Sequence, residues 1–166
     1  ISGTDRIAEA VGQMEVDVVV NIQGDEPLID PILIDCLVEA LEGDQECQMA
    51  TAIKTIEDEI ELNNPNVVKV VIDQNQNAMY FSRAAIPFKR ETSENKSFKH
   101  LGIYAYRKAF LMGYNNLPAS QLEQSEKLEQ LRALEAGFRI KTVLTDSDTI
   151  GVDTKEDLEH VKEILN

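Results

Sequence analysis

Val16-Asp-Val-Val-Val-Asn-Ile22 is a short run rich in β-branched residues; it stops at Gln23-Gly-Asp-Glu-Pro27, and Asp30-Pro31 then opens a new segment. This succession decides the fold class. A nearly continuous β-branched apolar run suits a strand buried on both faces, as in a parallel sheet covered by helices. Gly24 and Pro27 punctuate a loop. Asp30 suits a helix N-cap and Pro31 the first helical position, and Ile34, Leu37, Val38 and Leu41 follow at the spacing of a buried helix face.

The same alternation continues outward. Upstream, Ile7, Ala8, Ala10, Val11 and Met14 predict a helix over residues 4–14, with Ser2 or Thr4 as its cap. Downstream, apolar runs predict strands over 49–55, 67–72, 78–82, 100–107 and 139–145. Helical patterns fall at 58–63, 108–114 and 122–137, the last with Leu128, Leu131 and Leu134 inward and Gly137 at its C-terminal cap. A final amphipathic helix over 154–165 turns Leu158, Val161, Ile164 and Leu165 inward. Residues 73–77 read as a turn and 87–98 as a loop. The expected architecture is one α/β domain over residues 1–166: a mostly parallel sheet flanked by helices, with a small β lobe at about 78–107.

Composition narrows the class of function. The 166 residues are 43% hydrophobic and 28% charged, enough for one domain with a core. No apolar run approaches the roughly 20 residues that span a bilayer. The net charge of −14 argues against nucleic-acid binding, which needs clustered cations. Cys36 and Cys47 have no metal-ligand spacing, and a reduced, cytoplasmic setting is expected. The histidines are His100 and His160, and His160 reads as structural, a cation favoured near a helix C-terminus.

Ligands of open α/β sheets bind beyond the carboxyl ends of the strands. Asp25 and Glu26 follow such an end. Asp25 reads equally as a turn carboxylate or as a metal ligand. Asp153, in Thr149-Ile-Gly-Val-Asp-Thr154, reads as a helix N-cap with Glu156 or as a second metal carboxylate. Mg²⁺ is commonly held by one or two carboxylates plus substrate phosphates. Spacing alone does not bring the two aspartates together.

Five strings in collinear order carry a resemblance. Val19-Val-Asn-Ile-Gln-Gly-Asp-Glu-Pro-Leu-Ile29, Tyr80-Phe-Ser-Arg-Ala-Ala-Ile-Pro87 and His100-Leu-Gly-Ile-Tyr-Ala-Tyr-Arg107 are three of them. Leu122-Glu-Gln-Ser-Glu-Lys-Leu-Glu-Gln-Leu-Arg132 and Gly151-Val-Asp-Thr154 complete the set. Together they resemble the 3-deoxy-manno-octulosonate (Kdo) cytidylyltransferases, a family with a nucleotide-diphospho-sugar transferase-like fold. The resemblance implies that CTP and Kdo are the substrates, that CMP-Kdo and pyrophosphate are the products, and that the reaction depends on Mg²⁺ and serves lipopolysaccharide synthesis in a dimeric enzyme.

By the same resemblance, Asp25 and Asp153 bind the metal. Gln23, Arg83, His100, Tyr104, Glu129 and Gln130 surround the sugar, with Arg83 matched to its carboxylate. Ser2, Gly3 and Arg6 lie near the cytosine. The family's first strand and its basic, Gly-containing loop for the CTP phosphates have no counterpart in these residues. The chain therefore reads as the larger, C-terminal part of such an enzyme, expected to be weakly active or inactive by itself and open to self-association. A cytidylyltransferase for a related acidic sugar and a non-catalytic binding or assembly module are the alternatives.

Overall fold

The computed structural model describes residues 3–24, 26–91, 95–147, 152 and 155–165. Helix α1 (Gly3–Val11) leads into β1 (Val18–Asn21), and α2 (Pro31–Glu42) into β2 (Cys47–Ile56). Short α3 (Glu59–Asn63) precedes β3 (Lys69–Ile72), β4 (Ala78–Ser82) and the long β5 (Ser97–Arg107). Then come α4 (Lys108–Gly113), a 3₁₀ turn at Tyr114–Asn116, α5 (Gln121–Glu126), α6 (Leu131–Glu135), β6 (Arg139–Leu144) and α7 (Lys155–Leu165).

Local chemistry accounts for the helix boundaries. Asp30 caps α2 by accepting from the Ile32 N–H, and Pro31 follows it. Asp58 caps α3 in the same way through the Glu61 N–H. Thr4 lies inside α1, not at its cap, and is buried. Ser2, the other candidate cap, lies outside the described residues.

The described strands form one six-stranded sheet in the order β4-β3-β5-β2-β6, with β1 also paired to β5. Residues 78–107 supply β4 and β5 of this sheet. Strands β1, β2, β3 and β6 share one direction, and β4 and β5 run against them. The mostly parallel expectation thus holds for strand direction. Among the hydrogen-bonded pairs, only β2–β6 is parallel, because β5 runs against β1, β2 and β3, and β4 against β3. One edge of β5 carries β2 along most of its length. The other is shared by β3, opposite Phe98 and Lys99, and β1, opposite residues 104–107. At the outer end, the 73–77 turn folds onto β6, where the Thr142 N–H donates to the Gln76 carbonyl at 2.8 Å.

Helices cover both faces. On one, Leu33, Leu37 and Leu41 of α2 pack on Ala50, Ala52, Ile103 and Ala105. Burying each such leucine contributes about 1.5–3 kcal/mol. On the other, Ala8, Phe110, Leu111 and Leu131 pack on Val19, Met49, Ile53 and Tyr106.

Two helical expectations are corrected. The 122–137 segment is two helices, not one: Lys127 takes a left-handed conformation (φ 56°) and ends α5. The apolar spacing of Leu128, Leu131 and Leu134 survives because the chain makes one tight turn between them. In α7, Val161 is buried while Leu158 and Ile164 are exposed, so the described chain does not cover the whole apolar stripe. The side chains of Glu156, His160 and Leu165 lie outside the described set.

Gly137 does close α6, at φ +85°. Its N–H reaches the Leu134 carbonyl and the Phe138 N–H reaches that of Ala133, a Schellman closure. A Cβ there would meet nothing within 4 Å, so the cost of a side chain is purely conformational. Gly137→Ala is expected to destabilise the fold by about 1–2 kcal/mol in denaturant titration.

Candidate functional site

Strand β1 leaves the sheet at Asn21, opposite Tyr104 of β5, and the Glu26 N–H closes a turn on the Gln23 carbonyl. A cavity of about 80 Å³ opens here, lined by residues that include Gln23, Tyr104, Glu129 and Gln130. Gly3 and Thr4 at the start of α1 line it too, as do Asn21, Met49, Tyr106 and Tyr114. The fold therefore brings Gly3, Gln23, Tyr104, Glu129 and Gln130 together from four separate segments. The break at Lys127 sets the last two: it places Leu128 and Gln130 in the interior and Glu129 between them, on the cavity.

Among the described residues, Glu129 is the only charged side chain in this lining. Its Oε1 and the Nε2 of Gln130 are buried without a partner among the described residues. Orphaned buried polar atoms are costly and call for a ligand or ordered water. Burial, with Glu129 nearby, pushes the Tyr104 and Tyr114 phenols up, so both stay protonated donors. The Tyr114 hydroxyl donates to the Glu129 carbonyl at 2.7 Å and fixes the turn. Such a lining suits neutral hydroxyl groups better than a phosphate or a carboxylate.

His100 stands next to this lining, its ring 5.2 Å from that of Tyr104 and edge-on to Phe81 at 5.1 Å. Burial pushes its pKa down from 6.5 to about 3. Because the fold disfavours the protonated ring, its contribution to stability is complete above about pH 6.5 and is lost as pH falls from there toward 3. The His100 ring is expected to show no titration in an NMR pH series above about pH 5.

Arg83 is not part of the cavity lining. Its Nε donates to the Glu126 carbonyl at 2.9 Å and its Nη1 to the Pro65 carbonyl at 3.0 Å. The Glu126 carboxylate accepts from the Ser82 hydroxyl at 2.6 Å and the Arg83 N–H at 2.9 Å. Burial works to raise the Glu126 pKa, and these hydrogen bonds outweigh it. Among the described residues, two of the five guanidinium N–H donors are thus engaged. Ser82, Lys69 and Lys99 form one row across β4, β3 and β5. Arg83 and His100 follow at its end, about 10 Å apart by two strand spacings.

Arg6 is exposed on α1. Ser2, Asp25 and Asp153 lie outside the described residues. The Ser147 hydroxyl, beyond β6, donates to Asp30 Oδ2 at 3.1 Å. The chain leaving β6 toward Asp153 is thereby tied to the loop that leaves β1 through Asp25. No cluster of three or more His, Cys, Asp or Glu side chains suited to a metal occurs among the described residues. Sequence reasoning missed Asn21, Thr4, Met49, Tyr106 and Tyr114. Asn21, the polar residue near the end of a β-branched run, carried the one usable signal.

Residues 1–143 match a family model described as cytidylyltransferase. A 3-deoxy-manno-octulosonate cytidylyltransferase of Solibacter usitatus is 52% identical over 99% of this chain and 66% of its own length. An 8-amino-3,8-dideoxy-manno-octulosonate cytidylyltransferase of Shewanella pealeana is 53% identical over 95% of this chain and 66% of its own length. The chain thus spans about two thirds of these curated relatives. Among solved structures, a CMP:2-keto-3-deoxy-manno-octonic acid synthetase complexed with CTP superposes with a TM-score of 0.93 at 41% identity, covering 99% of this chain and 68% of its own. On the strength of the family match and these identities, the chain belongs to the cytidylyltransferase family.

Proposed function

We propose that the full-length protein containing this chain transfers CMP from CTP to the anomeric hydroxyl of Kdo. The sugar oxygen attacks the α-phosphorus, the bond to pyrophosphate breaks, and the hydroxyl proton is lost to solvent or a nearby base. The observation that carries this reading is the pair of buried atoms Glu129 Oε1 and Gln130 Nε2, unpartnered among the described residues, in a cavity whose described lining has no Lys or Arg. An acceptor and a donor side by side match the hydroxyls of a sugar. The row from His100 to Arg83 adds a cation about two strand spacings away, suited to the sugar carboxylate because a guanidinium fork binds carboxylates bidentately.

Asp25 and Asp153 are hard oxygen donors, chemically suited to Mg²⁺ held partly by substrate phosphates. Bound there, the ion would neutralise triphosphate charge and help align the reactants. The Ser147–Asp30 bond supports the pairing, since it ties together the segments from which both aspartates extend. The same reading carries a cytoplasmic homodimer, in which a partner would cover exposed Ile60, Met79 and Phe88.

A second reading has its own support. Relatives acting on the 8-amino sugar match as well as those acting on Kdo. Pyrophosphate release from CTP with each sugar separates the two by kcat/KM. Release that requires Kdo, with the sugar KM raised about tenfold in Gln130→Leu and the CTP KM unchanged, is the expected result. Higher kcat/KM with the amino sugar would replace Kdo. Release with neither sugar would leave a binding or assembly module.

A further inference from the structure

Thr51 is fully buried at the point where β2 and β5 lose register. Thr51 pairs with Tyr104 but Ala52 pairs with Leu101, so Gly102 and Ile103 are extra residues on β5. This bulge takes Gly102 and Ile103 out of the ladder. The Thr51 hydroxyl lies 2.7 Å from the Ile103 oxygen and 3.2 Å from that of Leu101, the next paired residue. It also lies 2.9 Å from His100 Nε2.

A hydroxyl has one proton to give. Two carbonyl oxygens compete for it, and neither can donate in return. Toward the imidazole the Thr51 oxygen is therefore an acceptor, which requires the hydrogen to sit on Nε2. Nδ1 then presents a bare lone pair and has no hydrogen-bond partner among the described residues. The ring is held in place by Phe81 and by Tyr104, which itself lines the cavity.

We propose that Thr51 is a positioning residue that holds His100 as the Nε2–H tautomer, so that Nδ1 accepts a hydrogen bond from a sugar hydroxyl. The ligand half of this statement rests on the function proposed above; the tautomer half does not. The bulge is what makes the arrangement possible, because a regular ladder would leave no carbonyl for the Thr51 proton and the hydroxyl could donate to the ring instead.

The test uses the full-length protein, labelled with ¹⁵N-histidine, with His100 assigned by its disappearance in His100→Asn. Long-range ¹H–¹⁵N spectra of the unliganded protein are expected to show His100 protonated on Nε2. Thr51→Val is expected to give a mixture of tautomers and to raise the sugar KM about tenfold, with kcat and the CTP KM within about twofold. Thr51→Ser keeps a hydroxyl in place and is expected to restore both readouts. A wild-type ring protonated on Nδ1, or a Thr51→Val protein with unchanged tautomer and KM, overturns the proposal while leaving the functional reading intact. Absence of turnover with either sugar in wild type overturns the functional reading and the ligand role of Nδ1, and the spectra still decide the Thr51–His100 relation.

Discussion

Asp25→Asn in the full-length protein is expected to lower the rate of pyrophosphate release about 100- to 1,000-fold at saturating CTP and Kdo. The expectation follows from charge. CTP brings several negative charges to a chain whose own net charge is −14, and among the described residues the neighbouring cavity is lined by no Lys or Arg. In the proposed reading a divalent cation shares in balancing that charge, and one fewer carboxylate would weaken its hold. Part of the loss should return at raised Mg²⁺, because an amide retains one oxygen ligand. Thermal stability should stay close to wild type, since the loop is followed by an independently capped helix. A loss smaller than tenfold would remove Asp25 from the proposed metal site.

Lys69→Met is expected to destabilise the fold by about 3–5 kcal/mol, a fall in Tm of roughly 10 °C. Lys69 is fully buried, and its ammonium donates to three backbone carbonyls: Asn64 at 2.8 Å, Val67 at 2.6 Å and Arg83 at 2.6 Å. Burial, reinforced by the Arg83 charge, lowers its pKa, while Glu126 opposes. Methionine fills similar space but leaves three buried acceptors without a donor. The Arg83 carbonyl is one of them, so the loss should also disturb the sugar carboxylate end of the proposed site. Differential scanning calorimetry reads the first effect and the sugar KM the second. A Tm within about 2 °C of wild type would mean that water replaces the ammonium and that Lys69 is dispensable.

Much of the fold was legible because its local signals agree. Asp30-Pro31 and Asp58 cap the helices that follow them, and Gly137 ends α6 in the one conformation that favours glycine. Strand direction was less legible. The pattern of β5 resembles that of its neighbours whichever way it runs, so its antiparallel course between them has no local signature. The break at Lys127 was hidden for a related reason: no Gly or Pro marks it, and the apolar spacing passes through it unchanged. Of the cavity lining, Gln23, Tyr104, Glu129 and Gln130 were legible through the motifs that contain them. The site was illegible where the cavity is lined by core-like residues, since Met49, Tyr106 and Tyr114 read as packing. Asn21 and Thr51 needed the sheet register before their polar atoms had any meaning.

Strand β5 also governs the order in which this chain can fold. Strands β1, β2 and β3 all pair with it, and β1 lies more than eighty residues before its partner. During synthesis, the β3–β4 hairpin is the only pairing of these strands available until β5 has emerged. The β2–β6 pair spans about ninety residues and comes later still. Contacts of such long sequence separation carry a loop-closure cost that must be met before they stabilise anything, which slows folding and leaves strands exposed meanwhile. Emergence of β5 is therefore the committing step on the ribosome. A nascent chain halted before residue 97 should remain accessible to chaperones, and one extended past residue 144 should become protease-resistant in a single cooperative step.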